Sequence, residues 1–208
     1  MRTALRQLGI VILFGAVGLC FAPTIVPPFL DRIYYEGPVS GHFDGRHFFN
    51  PDLDATVAPR APLPGRGGLV GRFLAGDDRP PWPAAVAVTS TRPAARVAGE
   101  AMVATWIGHA SFLIQTAGIN ILTDPIWSDR AGPFGIGPRR VAAPGIAFAD
   151  LPRIDLVLIS HNHYDHLDLE TLRRLWSRDR PLIVTSLGND TILRAAGIEA
   201  IALDWGGQ

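Results

Sequence analysis

The chain has 208 residues, room for one domain or for one domain with an anchor, and its 19 basic and 19 acidic residues cancel. Zero net charge with no basic stripe argues against nucleic acid as a partner. The lone Cys20 excludes an internal disulfide and any Cys-based zinc site, and every basic residue is Arg, so no single Arg stands out as a chosen anion binder.

Arg2 and Arg6 precede an uncharged run from Gln7 to Leu30 whose densest part is Leu8 to Ala22, with Cys20 inside it. A bilayer-crossing helix needs about 20 apolar residues, and Ile25, Val26, Phe29 and Leu30 extend the run past Pro23. Residues 1–30 therefore read as a membrane anchor or a signal. Cys20, Phe21 and Pro23 make a poor cleavage site, which favours an uncleaved single-pass anchor over a secreted product. The positive-inside rule then puts the chain beyond Leu30 on the periplasmic or extracytoplasmic side. Residues 31–100 are punctuated by Pro and Gly, as in Pro59 to Gly65 and Arg79 to Pro83, which forbids long helices and central strands. They read as an extended arm anchored by Tyr34, Tyr35, Phe43, Phe48, Phe49 and Trp82, with one short helix over Gly68 to Leu74.

Regular structure is predicted from residue 101 onward. Met102 to Ile107, Ser111 to Thr116 and Ile119 to Asp124 form a meander of hairpins, with turns at Gly108-His109-Ala110 and Ala117-Gly118. A Gly/Pro-rich loop comes next, from Pro125 to about Pro144. Asp155 to Ser160 is a continuous apolar run, the pattern of a strand buried on both faces. Asp168 is placed to cap a helix whose apolar side is Leu169, Leu172, Leu175 and Trp176, ended by Pro181. Leu182 to Thr185, Asp190 to Ala196 and Ile198 to Leu203 complete a strand, helix, strand alternation. The fold class is α/β.

The chemistry concentrates in Ser160-His161-Asn162-His163-Tyr164-Asp165-His166. His161 and His163 lie two apart at the end of a buried strand, so on extended backbone both imidazoles face one ion. Asp165 and His166 come where the chain turns toward the helix, aiming a carboxylate and a third imidazole at a second ion. Zinc takes His nitrogen and Asp oxygen and leaves a catalytic position open for water. Two ions about 3.5–4 Å apart hold a hydroxide between them.

His-x-His-x-Asp-His after an apolar strand resembles the metallo-β-lactamase fold superfamily. More narrowly, five stretches are similar to the branch containing N-acylphosphatidylethanolamine-hydrolysing phospholipase D. They are Thr105 to Ala110, Leu122 to Pro125, Gly137 to Arg140, Ile159 to Asp168, and Leu203 to Trp205. The run Gly37 to Pro51 is similar to the N-terminal arm of its bacterial members. The resemblance implies an αββα sandwich, two zinc ions, and hydrolysis of a phosphodiester in an N-acyl phospholipid-like substrate. It assigns His161 and His163 to one zinc and Asp165 and His166 to the other, with Asp165 also orienting the attacking hydroxide. Asp124 is implied as a support for a ligand, and His109 as a residue near the site mouth, its ring expected on the backbone of its own tight turn.

A complete site in that family takes three more ligands from later in the chain, and no His follows His166. Residues 101–208 are therefore expected to form the N-terminal half of the domain, a fragment whose own activity is open. Other hydrolysis on the same fold, of lactone or β-lactam type, and a non-catalytic membrane-anchored fragment stand as alternatives.

Overall fold

Alternation of apolar side chains from Met102 to Leu203 builds a single six-stranded sheet in chain order. Its strands are β1 (Met102–Gly108), β2 (Ser111–Thr116), β3 (Ile119–Thr123), β4 (Leu156–Ile159), β5 (Leu182–Ser186) and β6 (Ile201–Leu203). The first three pair antiparallel, and β3 to β6 run parallel. The computed structural model describes residues 6–18, 34–50, 83–132, 135 and 137–207, in two units, Met1–Glu36 and Gly37–Gln208.

The β2–β3 hairpin turns on Ala117 (φ 48°) and Gly118 (φ 77°). Two positive φ values in a two-residue turn twist with the strands, as hairpins require. The parallel strands need crossovers, supplied by helices numbered after the N-terminal α1 (residues 6–18): α2 (Leu169–Asp179) and α3 (Asn189–Ala195). Asp168 caps α2 by accepting from Glu170 N at 3.1 Å and Thr171 N at 3.2 Å. The helix closes on Arg180 in the left-handed conformation (φ 50°), one residue before the Pro181 expected to stop it.

One face of the sheet is closed. Leu113, Leu122, Val157, Ile159 and Ile183 pack with Leu172 and Leu175 of α2, Leu193 of α3, and Ile146, Leu151, Ile154 and Ile198 from the connections. The sequence pattern puts Ile198 inside the last strand, but β6 begins only at Ile201, and Ile198 enters the core from the turn after α3. Gln115 and Asn120 are buried on the same face. Their amides are satisfied by each other at 2.8 Å and by the carbonyls of Ala94, Ala95 and Arg153 at 2.7–3.0 Å. Residues 86–97 thus run as a strap tied into the sheet, by Thr91 N to Gly145 O, Gly118 N to Val97 O, and an ion pair of Arg96 with Asp155.

The other face is open. The reading of Asp155 to Ser160 as a strand buried on both faces is corrected: Leu158 is 38% exposed, and Leu182, the β5 partner of Leu156, is 52% exposed. Among the described residues these side chains stay partly exposed, so the apolar run outlines one covered face and one that is less covered.

The arm differs from expectation too. Phe43 is buried, bonded through Ser40 and paired with Phe48 at 4.7 Å between ring centroids, whereas Phe48 and Phe49 themselves are exposed. Trp82, the helix expected over Gly68 to Leu74 and Cys20 lie outside the described residues. The described part of helix α1 covers 13 residues, about 20 Å, against a hydrocarbon core of about 30 Å. Among the described residues no helix is long and apolar enough to cross a membrane; the expected anchor's remaining residues, 1–5 and 19–30, lie outside them.

Candidate metal centre

Strand register decides which residues meet. Phe112 pairs with Thr123, and Thr123 with Leu158, so the β1–β2 turn and the carboxyl ends of β3 and β4 share one edge of the sheet. Polar side chains weld that edge. Ser111 Oγ donates to Asp124 O and accepts from Ile126 N, and Thr123 Oγ1 donates to Ala110 O at 2.9 Å. The edge therefore gathers His109, Asp124 and the loop 160–166 from three separate parts of the chain.

Asp124 stands at its centre. The residue is buried, with a left-handed backbone (φ 36°) that a short polar residue tolerates. Its Oδ1 accepts from Ser160 N at 2.8 Å, and its Oδ2 accepts from Ser160 Oγ at 2.8 Å and meets His166 Nδ1 at 3.0 Å. Because a carboxylate only accepts, His166 Nδ1 carries the proton and Nε2 presents its lone pair outward. The Ser160 hydroxyl has one hydrogen and gives it to Asp124. It must therefore accept from His161 Nδ1, 2.9 Å away, which leaves His161 Nε2 as a lone pair too. One carboxylate sets two tautomers, the kind of support that ligating imidazoles require.

The three loop histidines cluster: the His161 ring lies 4.0 Å from that of His166 and 4.6 Å from that of His163, centroid to centroid. Burial, followed by the neighbouring His166 and His163, holds the His161 imidazole below its usual value. It therefore stays neutral and able to donate electrons at physiological pH. Burial pushes the Asp165 carboxyl up, but its own backbone N–H and the rings of His166, His109 and His163 more than offset this. The net shift is downward, and Asp165 is ionised.

His109 departs from its expected place. Its ring leaves the turn backbone and lies with Nε2 3.0 Å from Asp165 Oδ2 and 3.3 Å from His166 Nε2. The turn is held instead by Trp106 Nε1, which donates to His109 O at 2.9 Å. His109, Asp165 and His166 are the group among the described residues whose donor atoms converge closely enough to hold an ion. The signal for this was present in the hairpin pattern, since pairing β2 with β3 carries the 109–110 turn to Asp124. Two carboxylates outside this group are engaged elsewhere: Asp190, in the first turn of α3, pairs with Arg194, and Asp204 meets His42 Nδ1 at 3.3 Å.

Behind the loop, Asp168 accepts from Thr171 Oγ1 at 2.6 Å, Ser128 Oγ at 2.9 Å, Ser128 N at 3.0 Å and Trp127 N at 3.2 Å, in addition to capping α2. Arg140 donates to Ile126 O at 2.9 Å and comes within 3.2 Å of where a Cβ on Gly108 would stand, so Gly108 (φ 152°) leaves it room.

Residues 104–204 match the beta-lactamase superfamily domain. An uncharacterised protein of Mycobacterium tuberculosis is 36% identical over 138 residues, covering 60% of this chain and 37% of the relative. The N-acyl-phosphatidylethanolamine-hydrolyzing phospholipase D 1 of Caenorhabditis elegans is 44% identical over 73 residues, 35% of this chain and 20% of that protein. A metal-dependent hydrolase of an Anaeromyxobacter species is 36% identical over 95 residues, 45% of this chain and 30% of the relative. The matched part of the chain thus spans between 20% and 37% of the length of these relatives.

Proposed function

We propose that this chain, whose residues 104–204 belong to the β-lactamase superfamily, is part of a zinc-dependent phosphodiesterase acting on N-acyl phospholipid-like substrates. The observation that carries the reading is the clustering of the His161, His163 and His166 rings at one sheet edge, with Asp165 beside His166 and Asp124 behind it. Imidazole nitrogen and carboxylate oxygen are donors that zinc accepts. His161 and His163 would hold one ion and Asp165 and His166 a second. A bound zinc supplies Lewis acidity and a water whose pKa falls to about 7. The chain's own part is to orient: Asp124 fixes two rings, and Asp165 is positioned to direct the attacking oxygen toward phosphorus. The identity to a phospholipase D of this type supports the substrate class.

In the same reading residues 101–208 are the first half of an αββα sandwich, and the bare face of the sheet is where the second half packs. The Arg-flanked apolar segment 1–30 tethers the protein, with the catalytic domain on the extracytoplasmic side. Exposed Leu8, Val11, Ile12 and Phe14 on α1 support that attachment.

Turnover of N-acyl phosphatidylethanolamine in mixed micelles, followed by mass spectrometry as phosphatidic acid release, tests this. Activity that falls at least about 100-fold in His163→Ala is expected. Wild-type turnover in that variant, or no diester cleavage by the parent protein, would overturn the phosphodiesterase reading.

A further inference from the structure

We propose that His109 is itself a metal ligand, completing with Asp165 and His166 a site for one borderline divalent cation from residues of this chain alone. The proposal rests on reading the 161–166 loop as metal-binding and reassigns part of it.

Distances carry the argument. His109 Nε2 to Asp165 Oδ2 is 3.0 Å, His109 Nε2 to His166 Nε2 is 3.3 Å, and His166 Nε2 to Asp165 Oδ2 is 3.8 Å. Ligand atoms about 2.0–2.1 Å from a tetrahedral ion stand about 3.3 Å from one another. The three separations bracket that edge, so the donors are already spaced as they would be around one ion.

Each donor is also held in place. The His166 lone pair is aimed by the Asp124 carboxylate on its other nitrogen. The His109 backbone is kept in the left-handed region (φ 50°) while Trp106 Nε1 bonds its carbonyl and Thr123 Oγ1 bonds the next one. A bulky residue in that conformation persists where its surroundings over-determine it. Half-exposed His109 and Asp165 leave a fourth position facing solvent. Three protein ligands with an open position is the form of a catalytic zinc site, whereas structural sites close all four. His161 and His163 lie beside this trio: the His161 ring packs on His166 while its Nδ1 is engaged by Ser160.

The test is titration of the metal-free full chain in detergent with Co²⁺, read by the visible d–d bands of four-coordinate cobalt. One tight equivalent is expected. His109→Asn preserves a residue that tolerates positive φ while removing the imidazole, and His109→Ala serves as the second variant. Loss of the bands with at least about tenfold weaker binding in both variants is expected. Unchanged bands in His109→Asn, with loss in His166→Ala, would overturn this inference and leave the loop reading intact. Binding that survives His166→Ala, or no binding by the parent chain, would overturn both.

Discussion

The two faces of one sheet have nearly the same chemistry and opposite fates. Leu113, Leu122, Val157 and Ile183 lie under two helices and are buried. One residue along each strand, Phe112, Leu158 and Leu182 stand in the open, and Trp106 is 54% exposed. Strand alternation gives both faces apolar side chains, so what separates them is the crossover connections. Both helices fall on one side, as right-handed parallel crossovers dictate. An apolar run in sequence therefore reports that a strand expects two covers without naming which are present. A bare sheet face of this extent marks a surface that a partner layer would bury.

The sharpest way to break the comparison is to cut the covered side. Leu122→Ala removes a fully buried side chain and should lower unfolding stability by about 2–5 kcal/mol, measured by urea denaturation followed through Trp fluorescence. A loss under about 1 kcal/mol would mean the closed face is less tightly packed than its burial indicates.

Second in size is the link that keeps the cover in place. Asp168→Ala removes the α2 cap and takes away the acceptor of the Ser128 amide and hydroxyl, while Trp127 N keeps Thr171 Oγ1, at a cost of about 2–4 kcal/mol. Burial pushes this carboxyl up, but the Thr171 hydroxyl and the Ser128 backbone and hydroxyl donors pull it further down, so the folded value lies below the usual one. A depressed carboxyl stabilises fully above its unfolded value of about 3.9 and loses that contribution as pH falls through the folded value. The gap in urea midpoint between wild type and Asp168→Asn should hold from pH 7 to about 5 and narrow below about 4. A gap that widens in acid would contradict the network.

The smallest expected effect is on the bare side. Leu158→Thr and Leu182→Thr should each shift stability of this chain by no more than about 0.5 kcal/mol, while reducing binding of a hydrophobic dye. A loss comparable to that of Leu122→Ala would show that this face is covered in solution.

Much of this is legible in the residues. The hairpin meander, the strand and helix alternation, the Asp168 cap and the clustering of His161, His163, Asp165 and His166 all come from local pattern, because each depends on neighbours within a few positions. What escapes depends on distant parts of the chain. The second face of β4 reads as buried because an apolar side chain looks the same whether covered or not. The strap over 86–97 stays hidden because its bonds go to the amides of Gln115 and Asn120, two polar residues whose burial no periodicity announces. His109 reads as a turn residue because 57 positions separate it from His166, and it takes the pairing of β2 with β3 and of β3 with β4 to bring them together.

The hydrogen bonds of Asp124 have a consequence for how an ion would be received. Imidazole in water exchanges its proton between two nitrogens, and a site that leaves this free must choose a tautomer each time it binds. Here the choice is made inside the protein, for His166 directly and for His161 through the Ser160 hydroxyl. An arriving cation meets lone pairs already facing outward, so this part of the ordering belongs to folding and not to capture.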